Sequence, residues 1–477
     1  MNKLKTLEAR MPASARLILG ALCALLLSGA VAVYNVDAGP LRNLNDIGGW
    51  GNRALFIAMA AAMQVILLVL TAAMSRKCVA RMLLRQVIVT AGFVILLLPI
   101  NQKTYAFSEQ LLPLIRAMDA GGLAAIAGME TSLSSPALTM LYLITRGPVY
   151  DMYMVKLACV AGFMLLALLA MRAADKANLG LRAEAVLSLC LILPQGFMSA
   201  ACAAQFDVLS AAMVAVCFAL LAGEKPCSWL AAMCYALAVA LSGAALYALP
   251  VLVLAVRKKN MAAAELTAAL AVVAALCLPA VLSGQSALYA LLSPFKALFD
   301  APAYASGAPN LMNLFPRAAV NEMPEYFMLS QLEPLGMVDP ISQFSPYYTE
   351  ANFATIMRGM ALCGMACYAL VFALVMRREM SLTARAFALA LAAGVACPGA
   401  TAGMWLLVSV IALYAAMTEP RLRASACAVL FAALCSAAYP VTGEVLLPMI
   451  ASLALCLLAL FDLLGMFDAN RKGGQDA

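Results

Sequence analysis

Long apolar stretches follow one another along this chain with almost no charge inside them, and that pattern leaves few folds open. The first covers residues 17–34 and the second 54–74; others fall at 84–100, 154–172, 184–199, 207–222, 228–241, 243–256, 261–282, 354–376, 383–397, 401–417, 425–440 and 444–464. A bilayer core about 30 Å thick is crossed by about 20 apolar helical residues, and without water to satisfy the backbone a span is a helix or part of a closed barrel. Barrel strands alternate in polarity, and these stretches do not. The sequence therefore predicts an all-α, polytopic membrane protein with about fourteen transmembrane helices. Composition agrees: 65% of the 477 residues are apolar and 12% charged, with a mean hydropathy of +0.94. A soluble domain carries about 25% charged residues.

Basic residues set the expected orientation. Lys3, Lys5, Arg10 and Arg16 precede the first stretch, and with that end inside, alternate loops hold Arg76/Lys77/Arg81/Arg85, Arg172/Lys176/Arg182, Lys225, Arg257/Lys258/Lys259, Arg377/Arg378/Arg385, Arg421/Arg423 and Arg471/Lys472. The inner loops thus take most of the 31 Lys and Arg, which predicts both termini in the cytoplasm of a multi-pass plasma-membrane protein. The net charge of +7 is read as topology, with no nucleic-acid partner. The first stretch looks like a signal peptide, but no small-residue cleavage site stands out and a second span follows, so it is read as an anchor.

Two outer stretches, 101–153 and 283–353, exceed ordinary connections, and loops that long are usually functional. The first holds an amphipathic segment, Phe107 to Met118, and an apolar piece, Pro136 to Ile144, both expected as helices lying at the membrane surface. The second, rich in Pro, Tyr and Asn, is expected as a lid of turns. The 15 cysteines lie mostly singly in apolar runs without a CxxC pair, so they are read as packing residues. There is no histidine, the commonest metal ligand and neutral-pH base. Any chemistry falls to carboxylates, Lys, Arg, Tyr or a bound group.

Four patterns then resemble the GT-C superfamily of membrane glycosyltransferases. Ser135-Pro136-Ala137-Leu138-Thr139-Met140-Leu141-Tyr142 is similar to the Pro-containing stretch closing that family's first outer loop, with Lys156 at the next helix. Leu193-Pro194 followed by Ala204-Gln205-Phe206-Asp207 resembles a proline turn and a Gln-x-Asp element. Gly223-Glu224-Lys225-Pro226, a small-residue helix from Ala231 to Ser242 and Leu249-Pro250 resemble a Lys-Pro turn, an Ala-rich helix and a proline-opened span. Ser306-Gly307-Ala308-Pro309-Asn310-Leu311 is similar to an Asn-containing element of the large outer loop. The resemblance runs from about 104 to 320 and implies residues 1–80 as an added transmembrane hairpin, 81–320 as a GT-C-like module, 321–466 as the outer-loop remainder with C-terminal helices, and 467–477 as a cytoplasmic tail.

It further implies transfer of a mannose-like hexose from a polyprenyl-phosphate donor to an acceptor at the outer face. The base would be Glu109 or Asp119, with Asp207 lining the site; Lys103, Arg146, Lys156, Arg317 and Arg358 would meet the donor phosphate, and Gln205, Asn310 and Tyr105 the sugar. A divalent cation is compatible with the carboxylates, but no spacing demands a metal site. The sequence departs from the family where an acid is expected after the module's first helix: Ala106 stands there, and Glu109 is one turn away. Pro113 is followed by Leu114 rather than tryptophan, and Ser242-Gly243 stands where a lysine is usual. These losses open an alternative, a non-catalytic relative that binds lipid-linked sugar or partners an active paralogue. A secondary transporter or flippase and a membrane assembly protein are the rivals from other classes.

Overall fold

The computed structural model describes residues 12–38, 49–74, 79–126, 129, 131, 133–147, 149, 151–221, 227–256, 263–299, 308–314, 350–401, 403–442 and 449–465. These residues form helices and turns, with no strand among them. In chain order come α1 (Ala13–Ala38), α2 (Gly49–Met74), α3 (Val79–Leu97), α4 (Leu112–Gly121), α5 (Ser135–Thr145), α6 (Asp151–Lys176), α7 (Arg182–Leu191), α8 (Asp207–Leu221) and α9 (Ser228–Leu241). Then follow α10 (Leu249–Val256), α11 (Ala263–Leu282), α12 (Ala287–Phe299), α13 (Glu350–Arg377), α14 (Leu382–Ala396), α15 (Met404–Thr418), α16 (Arg423–Ala437) and α17 (Met449–Leu463).

Among the described residues, six helices are long and apolar enough to cross a membrane, or up to eight spans if two bent pairs count as one each. The protein is thus a helical, membrane-embedded one. The expected number of about fourteen is larger because α8, α9, α14 and α15 have only 14 or 15 residues. At 1.5 Å per residue these are about 22 Å long, less than the hydrocarbon core.

Two packed bodies share α15. One core runs through α1 to α8, with Phe93, Leu96, Phe163 and Met164 fully buried, and receives Leu406, Val410 and Leu413 from α15. The other joins α13 to α17 around Trp405 and Phe387. Small residues let backbones touch there: a Cβ on Gly364 of α13 would fall 1.8 Å from the carbonyl oxygen of Ala396, so only glycine fits. The N-terminal hairpin is tied on by polar contacts as well, Asn35 Nδ2 to the Leu97 carbonyl at 2.7 Å and Gln64 Nε2 to Thr90 Oγ1 at 2.9 Å. The described cysteines are free thiols.

Three features differ from the expectation. Pro136 to Ile144 lies within α5, which is packed inside rather than on a surface: Ala137, Leu138 and Leu141 are buried, as a helix apolar on every side requires. Ser134 caps it, accepting from Ala137 N at 3.2 Å, and Pro136 stands in its first turn. Arg81 and Arg85 are not loop residues but part of α3. Arg85 is buried, its Nη2 2.8 Å from both Asp175 Oδ1 and Glu184 Oε1, with Arg81 Nε at 3.4 Å from the same Glu184 oxygen. A charge inside a membrane helix needs such partners. The third difference is a helix broken twice. After α7, residues Pro194–Cys202 continue at 41°, ending in a wide π-type turn, Phe197–Cys202. Ala204 then takes a left-handed φ of 57°, and α8 begins at Asp207.

Candidate functional site

That strained turn aims Gln205 and Asp207 into a small cavity of about 110 Å³. Ala106, Gln110, Ser134, Ser242 and Thr401 also line it, from four further parts of the chain. The Asp207 carboxylate accepts from the hydroxyl of Thr401, and Ser242 lines the same cavity. The carboxylate also stands in the first turn of α8, where the helix dipole favours negative charge. Thr401 Oγ1 in turn accepts from Met404 N at 3.2 Å, fixing the start of α15 against the carboxylate. A Cβ on Gly403 would lie 2.8 Å from Asp207 Cβ, 2.9 Å from Gln205 Oε1 and 3.0 Å from Asp207 Oδ2. Glycine is what lets both side chains press against this backbone.

The site has an excess of acceptors. Gln205 Oε1 is buried without a hydrogen-bond donor among the described residues, close to a carboxylate that accepts from the neutral hydroxyl of Thr401. A buried acceptor left unmet costs about 1–3 kcal/mol, so this end of the cavity favours a ligand that brings donors. Among the described residues no three Cys, Asp or Glu side chains converge on a metal-sized point.

Asp207 and Ser242 also line a second, larger cavity of about 690 Å³. It is walled by aliphatic residues of α6, α8, α14 and α15, such as Leu166, Val214, Ala390 and Leu407. Its volume lies in the range of small-molecule sites, about 300–1,000 Å³. It follows α8 from Asp207 to Leu221.

The structure brings together Gln205 and Asp207 from the residues the sequence singled out. It places Ala106, not an acid, on the small cavity's wall; Glu109 is exposed in the π-type turn Phe107–Leu111, while its neighbour Gln110 is the one lining the cavity. Asp119 and Arg146 face each other outside, 3.2 Å apart, and the Arg146 guanidinium lies 4.8 Å from the Tyr142 ring centroid. Lys156 is fully buried and donates to the Gln102 carbonyl, so it anchors the chain after α3 instead of facing either cavity. Asn310 is also fully buried: its Nδ2 donates to the carbonyls of Gly394 and Cys397, both at 2.8 Å, and its Oδ1 accepts from Met312 N. Tyr105 packs edge-on against Tyr439, ring centroids 6.0 Å apart. Lys103 and Arg358 are exposed. Arg317 and residues 300–307 and 315–349 of the expected lid lie outside the described residues, and where turns were expected the described part contains the helix α12, Ala287–Phe299. Thr401 and Gly403 escaped the sequence reading because no local motif marks them, and Ser242 was noted only as standing where a lysine is usual; the three come to Asp207 through the packing of α15 and α9 against α8.

Comparison with protein-family models, with curated proteins and with solved structures finds no match for this chain.

Proposed function

We propose that this protein binds a lipid-linked sugar, as a GT-C-like relative whose original acid position has been lost, with the sugar in the small cavity and the lipid chain in the large one. The observation that carries this reading is that Asp207 lines both cavities, so one ligand can be polar on one side of it and apolar on the other. Sugar hydroxyls supply the donors that Gln205 Oε1 and the carboxylate want. The aliphatic walls suit a prenyl chain, and the basic-residue pattern puts the sugar at the outer face in a chain of about fourteen spans.

A second reading, hexosyl transfer, is favoured by the same carboxylate, because a group that accepts from a sugar hydroxyl can also take its proton. Asp207, rather than Glu109, would then be the base.

The test uses proteoliposomes offered radiolabelled polyprenyl-phosphate mannose. Binding is expected to saturate, to weaken at least tenfold in Asp207→Asn, roughly 1.4 kcal/mol or more, and to proceed without turnover. Turnover abolished in Asp207→Asn establishes transfer instead. No saturable binding by the wild type overturns the proposal.

A further inference from the structure

Away from both cavities, α11 and α12 carry one apolar stripe around a sharp bend. The 20 residues of α11 are about 30 Å long, so this helix crosses a bilayer core by itself. It exposes Leu270, Ala274, Leu278 and Leu282, a single helix face of the kind a span turns to lipid. The chain then turns at Gly284, whose φ is 98°, and α12 leaves at 117° to α11. With α11 upright, α12 lies close to the bilayer plane and dips back toward the core by roughly 30°. Its outward residues are Leu288, Leu291, Leu292 and Phe295, at the i, i+3, i+4, i+7 spacing of one helix face, with Tyr289 exposed beside them. The opposite face is committed to the protein. Ala290, Ser293 and Pro294 are buried there; Ser293 Oγ accepts from Ser135 N at 2.9 Å, and Gln285 Oε1, in the bend, accepts from Ser135 Oγ at 2.8 Å.

We infer that α12 is a membrane-interface anchor, with Leu288, Leu291, Leu292 and Phe295 seated among the upper acyl chains of the leaflet in which α11 ends. Its 13 residues make about 20 Å, too short to cross a bilayer. With Lys296 as its one charge, it is also too apolar to stand in water. A dip of that angle lowers its far end by about 10 Å, the depth that interfacial helices reach. Lys296 stands at this deeper end and turns its Nζ back over the Tyr289 ring, 4.9 Å from the centroid, toward the headgroups. Tyrosine is itself a residue of the membrane–water boundary. The stripe carries the lipid-facing side of α11 across the bend, so one occupant, the bilayer, suits both helices. Ser135 follows Ser134, which lines the small cavity, and the anchor thereby ties that cavity's rim to the plane of the membrane. The inference needs α11 to cross the bilayer and takes nothing from the sugar reading.

Depth-resolved quenching tests it. The full chain, with the fluorescent amino acid acridonylalanine in place of Leu288, Leu291, Leu292 or Phe295, is reconstituted into proteoliposomes. All four positions are exposed, so the buried face of α12 stays as it is. The quenchers are aqueous iodide, phosphatidylcholine brominated high on its acyl chains, and phosphatidylcholine brominated near the chain ends. High-chain bromine is expected to quench roughly threefold more than either of the others at each position. A second arm uses the unaltered protein: phosphatidylcholine bearing a diazirine high on one acyl chain should leave adducts within residues 286–296 on photolysis. Iodide as the strongest quencher would place the stripe in water, and chain-end bromine would place it in the core; either overturns the inference. So does quenching by none of the three, the result if residues 300–307 or a second copy cover the stripe, and so does an unaltered protein without lipid adducts in that segment.

Discussion

Arg85 and Asp207 are both charges held among membrane helices, yet they are treated in opposite ways. Around Arg85 the charges are matched: its guanidinium meets Asp175 and Glu184 at 2.8 Å, and Arg81 stands by at 3.4 Å, although the second Glu184 oxygen, Oε2, is buried without a hydrogen-bond partner among the described residues. Around Asp207 the described residues supply the Thr401 hydroxyl, leave the nearby Gln205 Oε1 without a donor, and open two cavities beside it. The difference separates a charge that holds helices together from one kept available to a ligand. A fold can tolerate either arrangement and leave an acceptor unmet in both, but only the second stands on cavities that a ligand can enter.

The largest effect expected from breaking this contrast lies at the closed cluster. Arg85→Leu leaves Glu184 and Asp175 without their common cation and should cost about 3–5 kcal/mol of stability. Thermal unfolding in detergent would register it, while Asp207→Asn, keeping an acceptor for Thr401, should unfold close to the wild type. Next comes Gly403→Ala. Its Cβ would force Gln205 and Asp207 off the α15 backbone, at about 1–3 kcal/mol as an overpacking change, and lipid-sugar binding should fall with it. Ala204→Gly relaxes a left-handed residue and should raise stability by roughly 0.5–1 kcal/mol, since the strain relieved exceeds the added freedom of the unfolded glycine. Smallest is Asp119→Ala: the Arg146 pair is half exposed on both sides, so a shift within about 0.5 kcal/mol is expected. A larger loss there would mean that the outer pair does more than decorate the surface.

Much of the fold was legible because lipid is an unforgiving solvent. Apolar runs as long as those of α1, α2, α6 and α13 have few alternatives to a membrane helix, and the helices lie where the runs are. Arg85 was misplaced for the same reason in reverse. A cation near the end of an apolar run reads as loop, and its partners Asp175 and Glu184 come from α6 and the first turn of α7, far along the chain. Pro136 to Ile144 was read as a surface piece because it is too short to cross, and length says nothing of what packs around it. In the site, Gln205 and Asp207 share one short segment, so the resemblance to a Gln-x-Asp element could point to them. Thr401 and Gly403 could not be seen that way, Ser242 was visible only as a missing lysine, and the burial of Lys156 and Asn310, whose amino and amide nitrogens donate to the protein's own carbonyls, was not legible either.

The most direct measurement is a crosslinking map. A polyprenyl-phosphate sugar bearing a diazirine on the hexose is photolysed with the protein in proteoliposomes, and the modified peptides are sequenced by mass spectrometry. The account predicts adducts within residues 203–207, 242–244 and 399–404, lost when Asp207 is replaced by Asn. Adducts concentrated instead between Lys103 and Asp119, unchanged in that variant, would contradict it.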